Sequence, residues 1–227
     1  MIHWAEPGYV VAFTTRVGGV SEPPYASLNL SRGTGDDPER VAQNRRTACE
    51  ALGLPHERLA FNRQVHSPTV HRARAGGWGT PGDGLWTDEP ELPMLAMSAD
   101  CLPIAVATTG GRRALAVLHA GWRGLAEGVV AAGVRALGDG PKAAVIGPAI
   151  GPCCYEVGPE VAERFEPALT REGRLDLWSA AERALRAAGV ARVERVDLCT
   201  RDHPELFFSH RRDGLARGVQ GVIGAVA

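Results

Sequence analysis

Strands outnumber helices along this chain and partly follow one another directly, which predicts a mixed α/β or α+β fold rather than a regular βαβ repeat. Two further observations set its scale. The chain has 227 residues, 44% hydrophobic and 22% charged, an ordinary globular composition, and a chain of this length buries roughly 70–75% of the surface its unfolded form exposes. No repeat at periods of about 20–50 residues, no low-complexity tract and no sharp change of composition interrupts it, so a single domain over residues 1–227 is expected.

The elements are read in order from hydrophobic periodicity and caps. Tyr9 to Thr15 reads as a strand. Asp37-Pro38-Glu39 opens a helix, with Asp as cap and Pro in the first turn. That helix carries Val41, Arg45 and Ala48 and stops at Gly53. Short strands follow between 59 and 73, and the Gly-rich stretch 76–84 reads as a loop. Leu92 to Met97, Pro103 to Thr108 and Ala114 to Leu118 read as buried strands. One helix is expected from Leu125 to Leu137, with Val129, Val130 and Val134 on one side. Ala143 to Ile146 is a strand, helices are expected over 159–169 and 176–188, and Val193 to Cys199 is a strand.

Composition excludes several function classes. Lys+Arg 25 against Asp+Glu 26 gives a net charge of −1 and a pI near 6.7, which argues against nucleic acid or an acidic membrane held by bulk charge. No apolar run approaches the roughly 18 residues that a membrane span needs. The start MIHWAEPGYV has neither a signal-peptide nor a transit-peptide pattern. Five cysteines, an odd number without a signal, are expected to be reduced thiols in the cytoplasm, available for metal or chemistry. Cys49 is expected in the core, and a disulfide within the vicinal pair Cys153-Cys154 would be strained.

The polar residues of interest sit where strands stop: Ser98 to Cys101, His119 to Gly124, Gly147 to Glu156, and Cys199 to His203. Rigid strands aim their terminal loops at ligands. His66, Cys101 and His119 form a dispersed His₂Cys set, which would leave a fourth coordination position open, as catalytic zinc requires. Unrelated packing of a thiol and two hydrogen-bonded histidines explains the same residues. A His₂Cys set also suits copper, but seven histidines with no His-x-His pair fall short of a multicopper cluster. Cys101 with His119 as base and Asp100 nearby would alternatively form a nucleophilic pair.

Two nucleotide motifs fail. Gly77 to Gly82 spells GxGxxG but contains Pro81 and opens no helix, and no P-loop exists. Backbone amides near Gly121–Gly124, with Arg123, offer an anion site. The stretch Thr15 to Ser21 reads equally as a second binding loop and as a plain hairpin turn, and Arg211-Arg212-Asp213 reads as a solvated charge run.

Taken in order, the motifs Thr14-Thr15-Arg16-x-Gly18-Gly19-Val20-Ser21, Asn44-Arg45, Gln64-Val65-His66-Ser67, Asp83-Gly84-Leu85-Trp86-Thr87, Ala99-Asp100-Cys101-Leu102-Pro103, His119-Ala120-Gly121-Trp122-Arg123-Gly124, Ile146-Gly147-Pro148-Ala149-Ile150-Gly151-Pro152 and Phe207-Phe208-Ser209-His210-Arg211-Arg212-Asp213-Gly214 resemble the YfiH family, also called laccase-domain or polyphenol-oxidase-like. The resemblance spans nearly the whole chain. It implies a single-domain layered sandwich of mixed β-sheets flanked by helices, similar to the cytotoxic necrotising factor catalytic domain. It implies zinc on His66, Cys101 and His119, with copper as the alternative. It further implies phosphorolysis of inosine, guanosine, adenosine and methylthioadenosine, so that purine nucleoside and phosphate are the expected partners, with adenosine deaminase activity beside it. Copper laccase chemistry and editing of peptidoglycan precursors are the other activities linked to the family. On this reading Arg45 and Arg123 contact phosphate or ribose, Asn44 and Glu156 position ribose or base, and Asp100 or Glu156 shuttles a proton. Nothing in the sequence demands an oligomer, and a monomer is expected.

Overall fold

The computed structural model describes the backbone of all 227 residues and every side chain except that of Trp78. Its strands are β1 (Ile2–Trp4), β2 (Tyr9–Phe13), β3 (Ala60–Arg63), β4 (Val70–Arg72), β5 (Trp78–Pro81), β6 (Gly84–Thr87), β7 (Met94–Ser98), β8 (Leu102–Thr108), β9 (Leu115–Ala120), β10 (Lys142–Ile146), β11 (Thr170–Arg171), β12 (Arg174–Leu175), β13 (Arg192–Arg195) and β14 (Gln220–Val226). The helices are α1 (Pro38–Glu50), α2 (Trp122–Ala126), α3 (Val129–Ala136), α4 (Pro159–Ala162), α5 (Leu177–Ala187) and α6 (His210–Asp213). Two six-stranded sheets, ordered β1-β2-β14-β7-β3-β5 and β13-β10-β8-β9-β6-β4, carry the fold, with β11-β12 as a separate pair. Both sheets are mixed: β2-β14-β7 and β10-β8-β9-β6 run antiparallel, whereas β3 pairs parallel with β7, and β13 with β10.

Side-chain alternation along the central strands explains the layering. Ala105 and Ala107 of β8, Leu115 and Val117 of β9, and Ala143 and Val145 of β10 face the first sheet, where they meet Phe13, Met94 and Val222. The intervening Leu102, Ile104, Val106, Ala116, Leu118, Ala144 and Ile146 join a second core with residues of α3 and α5. The outer face of the first sheet, through Leu95, Ile223 and Ala225, packs with Ala48 and Cys49 of α1. The order is therefore helix, sheet, sheet, helices, the expected layered sandwich. Small residues let the sheets approach: a Cβ on Gly224 would stand 2.8 Å from Leu115 Cδ2.

The structure corrects several element expectations. The single helix over 125–137 is two, because Gly128 adopts φ +93, a left-handed conformation that ends one helix and begins another. Between 159 and 169 lie only the four-residue α4 and a short 3₁₀ turn opened by Pro167. The expected loop 76–84 contains β5 and the first residue of β6. The strand expected over 193–199 covers 192–195. Unanticipated β14 lies between β2 and β7 in the first sheet. Asp37 does cap α1 as expected, its side chain accepting from Glu39 N at 2.8 Å.

Candidate metal centre and arginine-lined cavity

His66, Cys101 and His119 come together, their ligand atoms all within 4.8 Å of one another. Cys101 Sγ lies 3.9 Å from His66 Nε2, and the two imidazoles meet edge to face with ring centres 4.9 Å apart. Zinc bonds of 2.0–2.3 Å at tetrahedral angles separate ligand atoms by roughly 3.3–3.8 Å, so a small contraction brings this donor set onto an ion. The space is kept clear by Gly121, where a Cβ would lie 2.7 Å from His66 Cδ2 and 2.9 Å from Cys101 Sγ. The residues therefore fit a metal by donor chemistry and by the glycine cradle beside them.

Each ligand is held by its backbone. Buried Asp83 accepts from Val65 N (3.1 Å), His66 N (3.0 Å) and Ser67 N (2.7 Å), gathering the loop that carries His66 in a left-handed conformation at φ 60. The same carboxylate lies 2.8 Å from His119 Nδ1. An ionised carboxylate only accepts, so Nδ1 carries a proton, and Nε2 is the nitrogen left for a ligand once it gives up its own proton. Burial opposes the charged form of Asp83, but the bonds from His119 and the loop amides outweigh it and bring the carboxyl down to about 2. Burial also opposes a Cys101 thiolate, yet the neighbouring imidazoles His119 and His66 draw the thiol down to about 6. His119 is raised to about 9 against its own burial by Cys101 and Asp83. Asp83 is the residue that sequence reasoning left among the motifs without a role; a carboxylate at a strand start, within reach of a histidine ligand, was the available signal.

Asp100 sits at φ 91 immediately before Cys101, a strained position for a non-glycine residue. Thr200 Oγ1 (2.6 Å), Ser209 Oγ (3.1 Å) and Arg211 N (2.6 Å) donate to its carboxylate, and Ile150 N (2.9 Å) to its carbonyl. These bonds fix the turn that presents the thiol.

The three ligands open onto a cavity of about 900 Å³. Its walls carry Arg32, Arg45, Arg63, Arg123, Arg211 and Arg217, with Asp100 as the one acidic side chain, so the lining is cationic. Phe61, Trp122 and Tyr155 supply aromatic surface. Burial lowers Arg45 to about 10, and its guanidinium lies 4.0 Å from the Phe61 ring centre while Nε donates to Leu30 O at 2.7 Å. Arg123 stacks 4.3 Å over Trp122. Two polar atoms of the lining, Ser98 Oγ and Arg217 Nε, are buried without a hydrogen-bond partner among the described residues. Neither residue was singled out individually from sequence.

Other candidates are placed elsewhere. Asn44 is fully buried away from the cavity lining; Val20 N donates to its Oδ1 at 2.8 Å, and its Nδ2 donates to Ser21 Oγ and to the carbonyls of Ser27 and Asn29. Its contacts secure loop 20–29. Glu156 is exposed, 3.7 Å from Arg174, and does not line the cavity. The expected solvated run 211–213 is instead structured. Arg212 donates to the carbonyls of Thr200, Arg201 and Phe207, while Arg211 reaches the cavity wall and lies 5.4 Å from the Tyr155 ring centre. Of the four strand-end loops, those at 98–101, 119–124 and 147–156 line the cavity; the one at 199–203 acts through Thr200 on Asp100.

Fold and site together define a layered α+β protein with a candidate three-ligand metal set at a cationic cavity. The chain belongs to the family described as multi-copper polyphenol oxidoreductase laccase, whose model matches residues 10–226. A protein of Haemophilus influenzae named purine nucleoside phosphorylase is 35% identical, over 97% of this chain and 96% of its own. Escherichia coli purine nucleoside phosphorylase YfiH is 37% identical over 92% and 91%. The crystal structure of YlmD from Geobacillus stearothermophilus superposes with a TM-score of 0.89 at 34% identity, covering 100% of this chain and 99% of that one. Among the described residues, no helix is long and apolar enough to cross a membrane.

Proposed function

We propose that this chain is a zinc-dependent purine nucleoside phosphorylase acting on inosine, guanosine, adenosine and methylthioadenosine, with His66, Cys101 and His119 as metal ligands. The observation that carries the reading is the junction of that ligand set with a cavity lined by six arginines and one acidic residue. Phosphorolysis brings a phosphate dianion and a neutral nucleoside together, and guanidinium forks match phosphate oxygens. The names of the relatives support the same activity.

In the reaction, a phosphate oxygen forms a bond to the anomeric carbon of ribose while the bond from that carbon to the purine nitrogen breaks. The electron pair leaves with the base, which takes up a proton, and ribose 1-phosphate remains. Arg45 and Arg123 hold phosphate or ribose oxygens. Tyr155, pushed up to about 12 chiefly by burial, stays a neutral hydroxyl donor at neutral pH. Phe61 and Trp122, each already stacked by a guanidinium, supply apolar wall that excludes water. Ser98 Oγ and Arg217 Nε, unpartnered among the described residues, are donors available to substrate oxygens. Zinc held by His66, Cys101 and His119 would supply Lewis-acid chemistry beside the cavity.

Adenosine deamination at the same centre requires a carboxylate proton shuttle. Asp100 has both oxygens engaged and Glu156 lies outside the cavity, so phosphorolysis is the better-supported activity. Copper laccase chemistry is favoured by the family description alone, and the seven histidines include no closely spaced pair. Hypoxanthine release from inosine by metal-quantified protein tests the proposal. Release should require phosphate and fall by at least about 100-fold in His119→Ala; phosphate-independent release, or turnover unaffected by the substitution, would overturn it.

A further inference from the structure

A second group of metal-type donors lies outside this cavity. Cys153, Cys154, Cys199 and Asp202 place their ligand atoms within 4.8 Å of one another. They come from two separate segments: the turn after β10 supplies Cys153 and Cys154, and the loop after β13 supplies Cys199 and Asp202. Cys153 Sγ lies 3.1 Å from Asp202 Oδ2, and Cys154 Sγ 3.0 Å from Oδ1. None of the four lines the arginine-rich cavity.

We propose that these four residues form a second, structural metal site of Cys₃Asp type whose ion is zinc. Three sulfurs and one carboxylate oxygen are a complete tetrahedral set for a borderline-soft divalent cation, and tetrahedral Zn–S and Zn–O bonds separate ligand atoms by roughly 3.5–3.8 Å. Its surroundings resemble a thiolate site as well. Gly151 N donates to Cys199 Sγ at 3.3 Å, the kind of outer hydrogen bond that orients a sulfur ligand. A Cβ on Gly151 would stand 3.1 Å from Cys153 Sγ and 2.7 Å from Trp178 Cη2, so the turn folds tightly over the sulfurs. The cysteines are free thiols. A disulfide within the vicinal pair would be strained, and one from Cys199 to either partner would leave a thiol facing the carboxylate.

The ion ties two loops that both support the first centre. Residues 147–156 carry Ile150 and Tyr155 of the cavity wall, and Thr200, next to Cys199, donates to Asp100. Thr200 N also donates to Ala149 O at 3.0 Å, already joining the segments once. The second site would fasten this seam at its outer end. With all four ligands engaged its role is structural, since no position is left for substrate.

The test is metal stoichiometry of the full-length protein, purified reduced, exposed to excess zinc and gel-filtered. Wild type should retain two equivalents. Cys153→Ser with Asp202→Asn, both exposed positions, should retain one, as should His66→Ala with His119→Ala, and the four-residue combination none. Cobalt substitution in the His66/His119 variant gives a second readout: a thiolate-to-cobalt charge-transfer band that Cys153→Ser weakens. A His66→Ala/His119→Ala variant that retains no zinc, bound zinc indifferent to Cys153 and Asp202, or a disulfide among the three thiols of the isolated protein would each overturn the proposal. Because both readouts are independent of nucleoside turnover, a failure of the phosphorylase reading leaves this result distinct.

Discussion

Asp83 is the residue on which the candidate centre turns. Its carboxylate joins the loop of His66 to the ring of His119, so its removal misplaces two ligands at once. Asp83→Asn is expected to lower metal affinity about 10–100-fold, read by titration against a competing chelator. The buried charge also gives stability a pH dependence. The folded-state value near 2 lies below the ordinary 3.8, so the contribution is fully present above about 3.8 and disappears as pH falls through about 2. That depression corresponds to about 2 kcal/mol. Acid denaturation should show this limb in wild type and lack it in Asp83→Asn; an unchanged acid limb would contradict the assignment.

Glycines decide how the elements deliver those residues. Gly121 begins α2 against the ligand set, and Gly121→Ala should cost at least about tenfold in metal affinity while stability changes by about 1–3 kcal/mol from overpacking. Chelator competition and urea unfolding separate the two effects. A Cβ on Gly128 would meet nothing within 4 Å, yet the residue adopts φ +93, so Gly128→Ala should cost about 1 kcal/mol through backbone strain alone, with metal binding unchanged. The same glycine shows where the sequence was legible and where it was not. Apolar runs such as 103–108 and 143–146 became central strands because both faces are buried. The apolar stripe over 125–137 was real, but periodicity carries no sign of a left-handed break. β14 escaped notice because Gly221 and Gly224 give it the look of a tail, although Gly221 lies close against β7 and Gly224 lets the second sheet approach. His66, Cys101 and His119 were singled out by donor type, with unrelated packing and a nucleophilic pair open beside a metal, and tertiary structure brings their donor atoms within 4.8 Å of one another. Asn44 and Glu156 were candidates as polar residues in motifs, and whether such a residue faces a cavity or secures a loop is decided by tertiary packing.

For the whole molecule, charge is distributed rather than accumulated. A chain of net charge −1 concentrates six guanidiniums around one cavity, so attraction for an anion is local to the site and screened by salt beyond roughly 8–10 Å. Arg123→Ala should raise KM for phosphate about tenfold with a smaller effect on KM for inosine, loss of a guanidinium–phosphate contact being worth about 1.4 kcal/mol or more; initial rates with each substrate varied check this. The central claim is that sugar passes from purine to phosphate at this centre. ³¹P NMR of inosine and inorganic phosphate incubated with protein of known zinc content tests it most directly. Ribose 1-phosphate should appear in step with hypoxanthine and be absent with His119→Ala. Free ribose in its place, or no nucleoside turnover by zinc-replete protein, would contradict the account.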